Sequence, residues 1–210
     1  MNAVAEQVVE SLATVGFYAG ASIFPDDLTR SLALRAAALA RSGGLNAARV
    51  GRGEGRLANA QVRNDETRWL ADAPVDQSEQ GALVAARGLR SCLNEMLFLG
   101  LHEAELHFAR YAPGAFYRTH RDRFRDDDAR VVSLVFYLNE EWPDDAGGEL
   151  MLYADDDSSR VVARILPRAG TMVCFLSDRF PHEVLPASRE RYSLTGWLRR
   201  PATTHSLAGS

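Results

Sequence analysis

Two cysteines in 210 residues, no apolar run long enough to cross a membrane and no surplus of basic charge set the first limits on this sequence. Cys92 and Cys174 sit in apolar surroundings without zinc-type spacing. They read as small buried hydrophobes in a reducing compartment rather than as a structural disulfide. The segment MNAVAEQVVESL lacks both the basic and the continuous apolar region of a secretory leader, so the expected location is cytoplasmic, with no membrane partner. With 24 basic residues against 28 acidic ones, the net charge of −4 argues against a nucleic-acid partner. No internal repeat appears, and no Pro-, Gly- and Ser-rich linker divides the chain. The expectation is one domain over residues 1–200 and a flexible tail over 201–210. Oligomeric state is left open. A chain of this length buries roughly 70% of its unfolded surface in one core.

What is present changes character once along the chain. Val4, Val8, Leu12 and Val15 recur at helical spacing, as do Leu28, Leu32, Ala36 and Leu39 after Phe24-Pro25-Asp26, with Gly43-Gly44 as a stop. Leu83, Ala86, Leu89, Leu93 and Met96 mark a third helix ending near Gly100. Residues 44–78, with GG, GRGEG and the apolar anchor Trp69-Leu70, read as a long loop or irregular hairpin, a feature that is more often functional than idle. From residue 104 the pattern turns β-like: AELHFARYA, RVVSLVFYLN, GELMLYA, SRVVARIL, GTMVCFLS, HEVLP and RYSLTGWLRR, separated by turn signals such as PDDAGG and PRAG. Seven short strands behind helices imply an α+β protein, a sandwich or barrel with one outer face covered.

The histidines sort unevenly. HEAELH mimics a zinc-protease helix, but His102 and His107 are five residues apart where one helical face needs four. His205 lies in the polar tail. His107 falls on the same strand face as Tyr111, where it is either a satisfied barrel histidine or a hydrogen-bonding group near a ligand. His120 and Asp122 stand two apart in YRTHRDRFRDDD, so in an extended segment both point to one side. Alone they fit a solvated charged turn as well as a metal site. His182, in FPHEVLP on another expected strand, changes the balance. Two histidines and a carboxylate on one side of an ion leave positions open opposite them, as in non-haem Fe(II) oxygenases.

Arg191 heads RYSLTGW nine residues after His182, and alternation places Arg191, Ser193, Thr195 and Trp197 on one face. Pointed into a barrel, a guanidinium needs an anion, and its fork matches a carboxylate; at a strand start it could instead reach solvent. Tyr137 in VFYLN offers a hydroxyl that could share that carboxylate, with Val135 and Ser133 on its face.

RYAPGAFYRTHRD, FYLNEEW, GGELMLY, PRAGTMVCFLSDRFPHEV and RYSLTGW occur in this order, and the span from about Glu105 to Arg199 resembles the 2-oxoglutarate and Fe(II)-dependent dioxygenases of the prolyl 4-hydroxylase superfamily. It is most similar to the oxygen-sensing prolyl hydroxylases and their bacterial relatives. The resemblance implies a double-stranded β-helix (jelly-roll) core over 104–200 with supporting helices over 1–100. It implies iron held by His120, Asp122 and His182, and Arg191 and Tyr137 on the distal carboxylate of 2-oxoglutarate. Tyr111, Thr195 and Trp197 would line that pocket, with Val135 and Leu150 packed on the co-substrate. O₂ is the second co-substrate, and ascorbate (vitamin C) is a compatible reductant. Nucleic-acid demethylases of the superfamily carry a second arginine where this chain has Trp197.

The resemblance implies hydroxylation of an unactivated C–H with release of succinate and CO₂. A prolyl residue of a protein, such as one of the translation machinery, is the first expectation for the substrate; a free amino acid or small peptide is the alternative. The competing class is a β-helix module that binds iron and 2-oxoglutarate without turnover. VRNDETRWL resembles the stretch that anchors the substrate-covering loop of the oxygen-sensing enzymes, with Arg63, Asp65 and Trp69 in matching places and RND where those enzymes have RGD. Arg130 matches a basic residue at the substrate mouth. These four are either substrate residues or a surface salt-bridge cluster. Residues 44–78 are expected to form a mobile lid with a free GRGEG tip, and Arg121, Arg123 and Asp126 to Asp128 a rim around the site.

Overall fold

The structure, a computed structural model, describes residues 3–48, 61–122 and 129–201. GRGEG, Arg123, Asp126 to Asp128, His205 and the tail beyond Pro201 lie outside the described residues.

Helix α1 spans Ala3–Thr14, α2 Asp26–Arg41 and α3 Gln77–Leu97. The three periodic segments are helical, with two adjustments at their ends. Val15 lies past the last turn of α1 and is half exposed, as is Met96 near the end of α3, so neither extends its apolar stripe. Asp76 caps α3: its side chain accepts from the amides of Ser78 and Glu79, satisfying two otherwise orphaned donors.

Among the described residues the strands are β1 (Phe17–Ala21), β2 (Asn46–Ala47), β3 (Glu66–Trp69), β4 (Glu103–Tyr111), β5 (Tyr117–His120), β6 (Arg130–Tyr137), β7 (Leu150–Tyr153), β8 (Val161–Ile165), β9 (Thr171–Leu176), β10 (His182–Val184) and β11 (Arg191–Arg199). A seven-stranded sheet runs β1-β9-β6-β11-β4-β3-β2 and a four-stranded sheet β5-β10-β7-β8, every pairing antiparallel. This is the double-stranded β-helix, with helices on one outer face. The helix residues Val8, Leu32, Ala86 and Leu93 share one cluster with Leu106, Phe108, Leu134, Phe136, Leu194 and Leu198 of the large sheet. The opposite face of that sheet supplies Ala109, Tyr111, Val135, Tyr137, Val173 and Phe175 to a second cluster, completed by Leu150, Leu152 and Val184 of the small sheet.

Four strands lie outside the seven read from the sequence. FYAGA forms β1, which alternates too weakly to be seen alone and exists by pairing with β9. The segment read as loop contributes β3, paired residue for residue with β4 from Glu66↔Arg110 to Trp69↔His107, and β2 pairs with β3. Residues 66–69 are therefore a strand of the sheet, which gives the expected Trp69-Leu70 anchor its place, while the GRGEG tip lies outside the described residues. Short strands of this kind are decided by partners distant in sequence. His120 ends a strand of its own, β5.

Gly196 sits mid-strand in β11, where a Cβ would overlap the Glu105 carbonyl of the neighbouring strand. Ala in its place should destabilise the protein by about 3 kcal/mol, read as a lower urea midpoint; an unchanged midpoint would show that β4 and β11 separate freely.

Candidate active site

Strand pairing assembles the metal-binding group. His182 on β10 lies directly across from His120 on β5, and Asp122 follows two residues after His120. The ligating atoms of His120, Asp122 and His182 all lie within 4.8 Å of one another. His120 Nε2 is 3.6 Å from Asp122 Oδ1 and His182 Nε2 is 3.6 Å from Oδ2. Each imidazole has its Nδ1 against a backbone carbonyl, Arg118 at 2.8 Å and Phe180 at 3.0 Å. Donation there places the proton on Nδ1 and leaves the Nε2 lone pair facing the carboxylate, the tautomer a metal needs. Burial, reinforced by His120, pushes the His182 imidazole down to about 4, so it is neutral at physiological pH. Burial works against charge on Asp122 too, but His182, His120 and Ser133 outweigh it and hold the carboxyl well below the usual carboxylate range. Two imidazoles with their Nε2 atoms turned to one carboxylate, on one side of a gap, fit a divalent transition metal.

On strand β11 lies a buried arginine. Arg191 is 2% exposed. Its Nε donates to the Gly148 carbonyl at 2.8 Å, and among the described residues no carboxylate pairs with it. Its guanidinium carbon stands 4.9 Å from the Tyr111 ring centre and 5.1 Å from that of Tyr137. The Tyr137 hydroxyl is buried without a hydrogen-bond partner of good geometry, and burial pushes its pKa up to about 12 although the guanidinium pulls the other way. A buried cation with free donors beside an orphaned hydroxyl fits a carboxylate ligand, the group that 2-oxoglutarate would present. Arg191 lies across from Tyr111, Ser193 from Tyr137, and Thr195 from Val135. Val135 and Leu150 join Tyr111 and Tyr137 in the inner cluster. So does Phe175, whose ring packs edge-on against His182 at 4.8 Å. Metal group and anion site thus face one inter-sheet space.

The four expected mouth residues separate into two sets. Arg63 and Asp65 form a bidentate pair, with Nε–Oδ1 at 2.7 Å and Nη2–Oδ2 at 2.6 Å, and the Asp65 side chain is fully buried. Asp65 therefore holds Arg63, whose guanidinium lies 4.2 Å over the Tyr117 ring. Tyr117 in turn stacks on His120. Trp69, His107 and Trp197 form a stacked group, capped by Arg130 at 3.6 Å from the Trp197 ring centre. His107 is in β4 and outside the metal group, so the protease-like HEAELH is not a helix. Ser133, noted in the sequence only as a face-mate of Tyr137, donates to Asp122 Oδ2 at 2.6 Å and contacts Ser177. No spacing rule points to Ser177, because the turn after β9 alone brings it there.

A double-stranded β-helix carrying a His–Asp–His group and a buried arginine defines the class. Residues 106–199 match the 2OG-Fe(II) oxygenase superfamily, and the chain belongs to it. The solved Pseudomonas putida prolyl-4-hydroxylase is 42% identical, with a TM-score of 0.83 over 94% of this chain and 100% of that one. A prolyl hydroxylase from Trichoplax adhaerens, solved with a hypoxia inducible factor peptide fragment, is 26% identical with a TM-score of 0.83 over 93% and 89%. The hypoxia-inducible factor prolyl hydroxylase of Caenorhabditis elegans is 42% identical over 33% of this chain, a match that spans only 10% of the worm protein.

Burial, with Arg63 and Arg130 nearby, pushes the His107 imidazole down to about 3, from 6.5 in the unfolded chain. Between those values the unfolded state takes up a proton that the folded state refuses. His107 therefore costs nothing above pH 6.5, and stability falls as pH drops below it. His107→Phe, which keeps a ring in the stack, should shrink the stability lost between pH 7 and pH 5 in metal-free protein by about 2 kcal/mol. Urea midpoints at the two pH values measure this, and equal losses in both proteins would contradict it.

Proposed function

We infer that this protein is an Fe(II)- and 2-oxoglutarate-dependent dioxygenase that hydroxylates an unactivated C–H bond, with a prolyl residue of a protein or peptide as the favoured substrate. The observation that carries this reading is the fully buried Arg191, which has no carboxylate partner among the described residues yet shares its space with His120, Asp122 and His182. In this reading those three hold the iron. Arg191 grips the distal carboxylate of 2-oxoglutarate with its fork, and Tyr137 donates its hydroxyl to the same group. Tyr111, Thr195, Val135 and Leu150 fill the walls and keep water from the chelated end. Bound iron supplies the O₂ activation that couples conversion of 2-oxoglutarate to succinate and CO₂ with insertion of one oxygen atom into the substrate.

Arg63, Arg130 and Trp69 receive the substrate, with Asp65 acting through Arg63, and Trp197, stacked on Trp69, lines the 2-oxoglutarate pocket beside them. The peptide bound by the Trichoplax relative supports a polypeptide substrate, as does the full-length likeness to the Pseudomonas putida enzyme. The shared cluster of helices and sheet supports residues 1–200 as one unit. The burial of both cysteines, Cys92 and Cys174, supports a reducing, cytoplasmic setting. Among the described residues no helix is long and apolar enough to cross a membrane.

Adding Fe(II) and 2-oxoglutarate without oxygen should produce the weak visible charge-transfer band of a chelated keto acid, and Asp122→Ala should abolish it. No band in folded wild-type protein would leave a β-helix module without this chemistry. Arg191→Lys keeps the charge but loses the fork, so the apparent KM for 2-oxoglutarate should rise at least ~10-fold with iron binding intact. Mass spectrometry of proteins and metabolites for a gain of one oxygen atom dependent on this chain separates a prolyl protein substrate from a free amino acid.

A further inference from the structure

The two oxygens of Asp122 have different neighbours. Oδ1 faces His120 and Oδ2 faces His182, both at 3.6 Å, but only Oδ2 accepts a hydrogen bond from Ser133, at 2.6 Å. The Ser133 hydroxyl in turn lies 2.8 Å from that of Ser177. Both serines are buried, at 1% and 0% exposure, so water does not compete for these bonds. The direction of donation follows from valence. A carboxylate that ligates a metal is deprotonated and can only accept. Ser133 therefore gives its one proton to Asp122, and its oxygen accepts from Ser177. The chain runs from Ser177 through Ser133 to Asp122, and each bond polarises the next.

The relay has fixed ends. Ser133 is in the middle of β6, paired with Trp197 on one side and Phe175 on the other. Ser177 opens the turn after β9, and its amide donates to the Val131 carbonyl at 3.0 Å. That same turn continues to Phe180, whose carbonyl holds His182 Nδ1, and then to His182 itself. Strand β6 thus sets the orientation of the carboxylate against the turn that positions the second histidine.

Resting on the assignment of His120, Asp122 and His182 as metal ligands, we propose that Ser133, oriented by Ser177, is a positioning residue that restricts Asp122 to one-oxygen ligation. Its hydrogen bond engages Oδ2 and leaves Oδ1 as the better donor to the metal. An untethered carboxylate can rotate or bind through both oxygens and close a position needed by a chelating co-substrate and O₂. Outer partners of this kind are worth about 10–100-fold in metal affinity.

Co(II) tests this without turnover, because its visible d–d bands report the number and arrangement of ligands. In purified metal-free protein, Ser133→Ala should bind Co(II) about 10–100-fold more weakly than wild type and show altered bands. Ser133→Thr keeps the hydroxyl and suits a strand, and should restore both. Ser177→Ala should shift both in the same direction by less. Wild-type affinity and bands in folded Ser133→Ala overturn the proposal, as does a folded Ser133→Thr that behaves like Ser133→Ala. If Ser133→Ala fails to fold, Ser177→Ala decides: wild-type behaviour overturns the relay. Wild-type protein that binds no Co(II) removes the metal assignment itself, and the proposal with it. Wild type that binds beside an unaffected Ser133→Ala removes only the serine's role.

Discussion

Strand β11 has to satisfy two unlike environments at once, and its register governs the rest of the molecule. Leu194 and Leu198 on one face join the helix-side core, while Arg191, Ser193, Thr195 and Trp197 face the other way. A slip of one residue would drive a guanidinium into the apolar layer and turn two leucines towards the site. Pairing on both sides holds the register, with β4 from Arg191↔Tyr111 to Arg199↔Glu103 and with β6 from Ser193↔Tyr137. Gly196 reinforces it, because close approach to Glu105 leaves no room for a side chain.

Three charges near the site, Arg191 buried and Arg63 and Asp122 largely so, are handled in different ways. Arg63 meets Asp65 in a fork, a closed pair with no ligand required. Asp122 is surrounded by two imidazoles and a hydroxyl, which favour its ionised form over burial. Arg191 has a backbone carbonyl and aromatic rings but no carboxylate among the described residues. Leaving a buried cation without an anion is costly unless the missing partner arrives as a ligand. The contrast is between Arg63, whose charge is met within the chain, and Arg191, whose charge leaves room for an anionic ligand.

The N-terminal elements do more than cover a face. Buried Glu79 near the start of α3 accepts from Arg35 of α2 at 2.8 Å and from Arg68 of β3 at 3.4 Å, tying two helices to the strand beside β4. Arg110 of β4 bridges Glu66 of β3 and Glu190 before β11. Trp69, half exposed on β3, reaches the site through its stack with His107 and Trp197. The helices thereby help to place Trp69 against His107 and Trp197.

By itself the sequence determined the elements whose periodicity is strong, three helices and seven of the strands after residue 104, and it singled out His120, Asp122, His182, Arg191 and Tyr137 as candidate ligand and anion residues. These were legible because spacing assigns a face to each residue and because a buried charge needs a partner. Tertiary structure alone decided what depends on distant neighbours. FYAGA and ETRW are strands only because β9 and β4 offer them edges. Asp65 sits under Arg63 rather than at the surface, and Ser177 reaches Ser133 across a turn that no local pattern announces. Periodicity is a property of the local backbone, whereas pairing and hydrogen-bond closure are set by which segments the fold brings together.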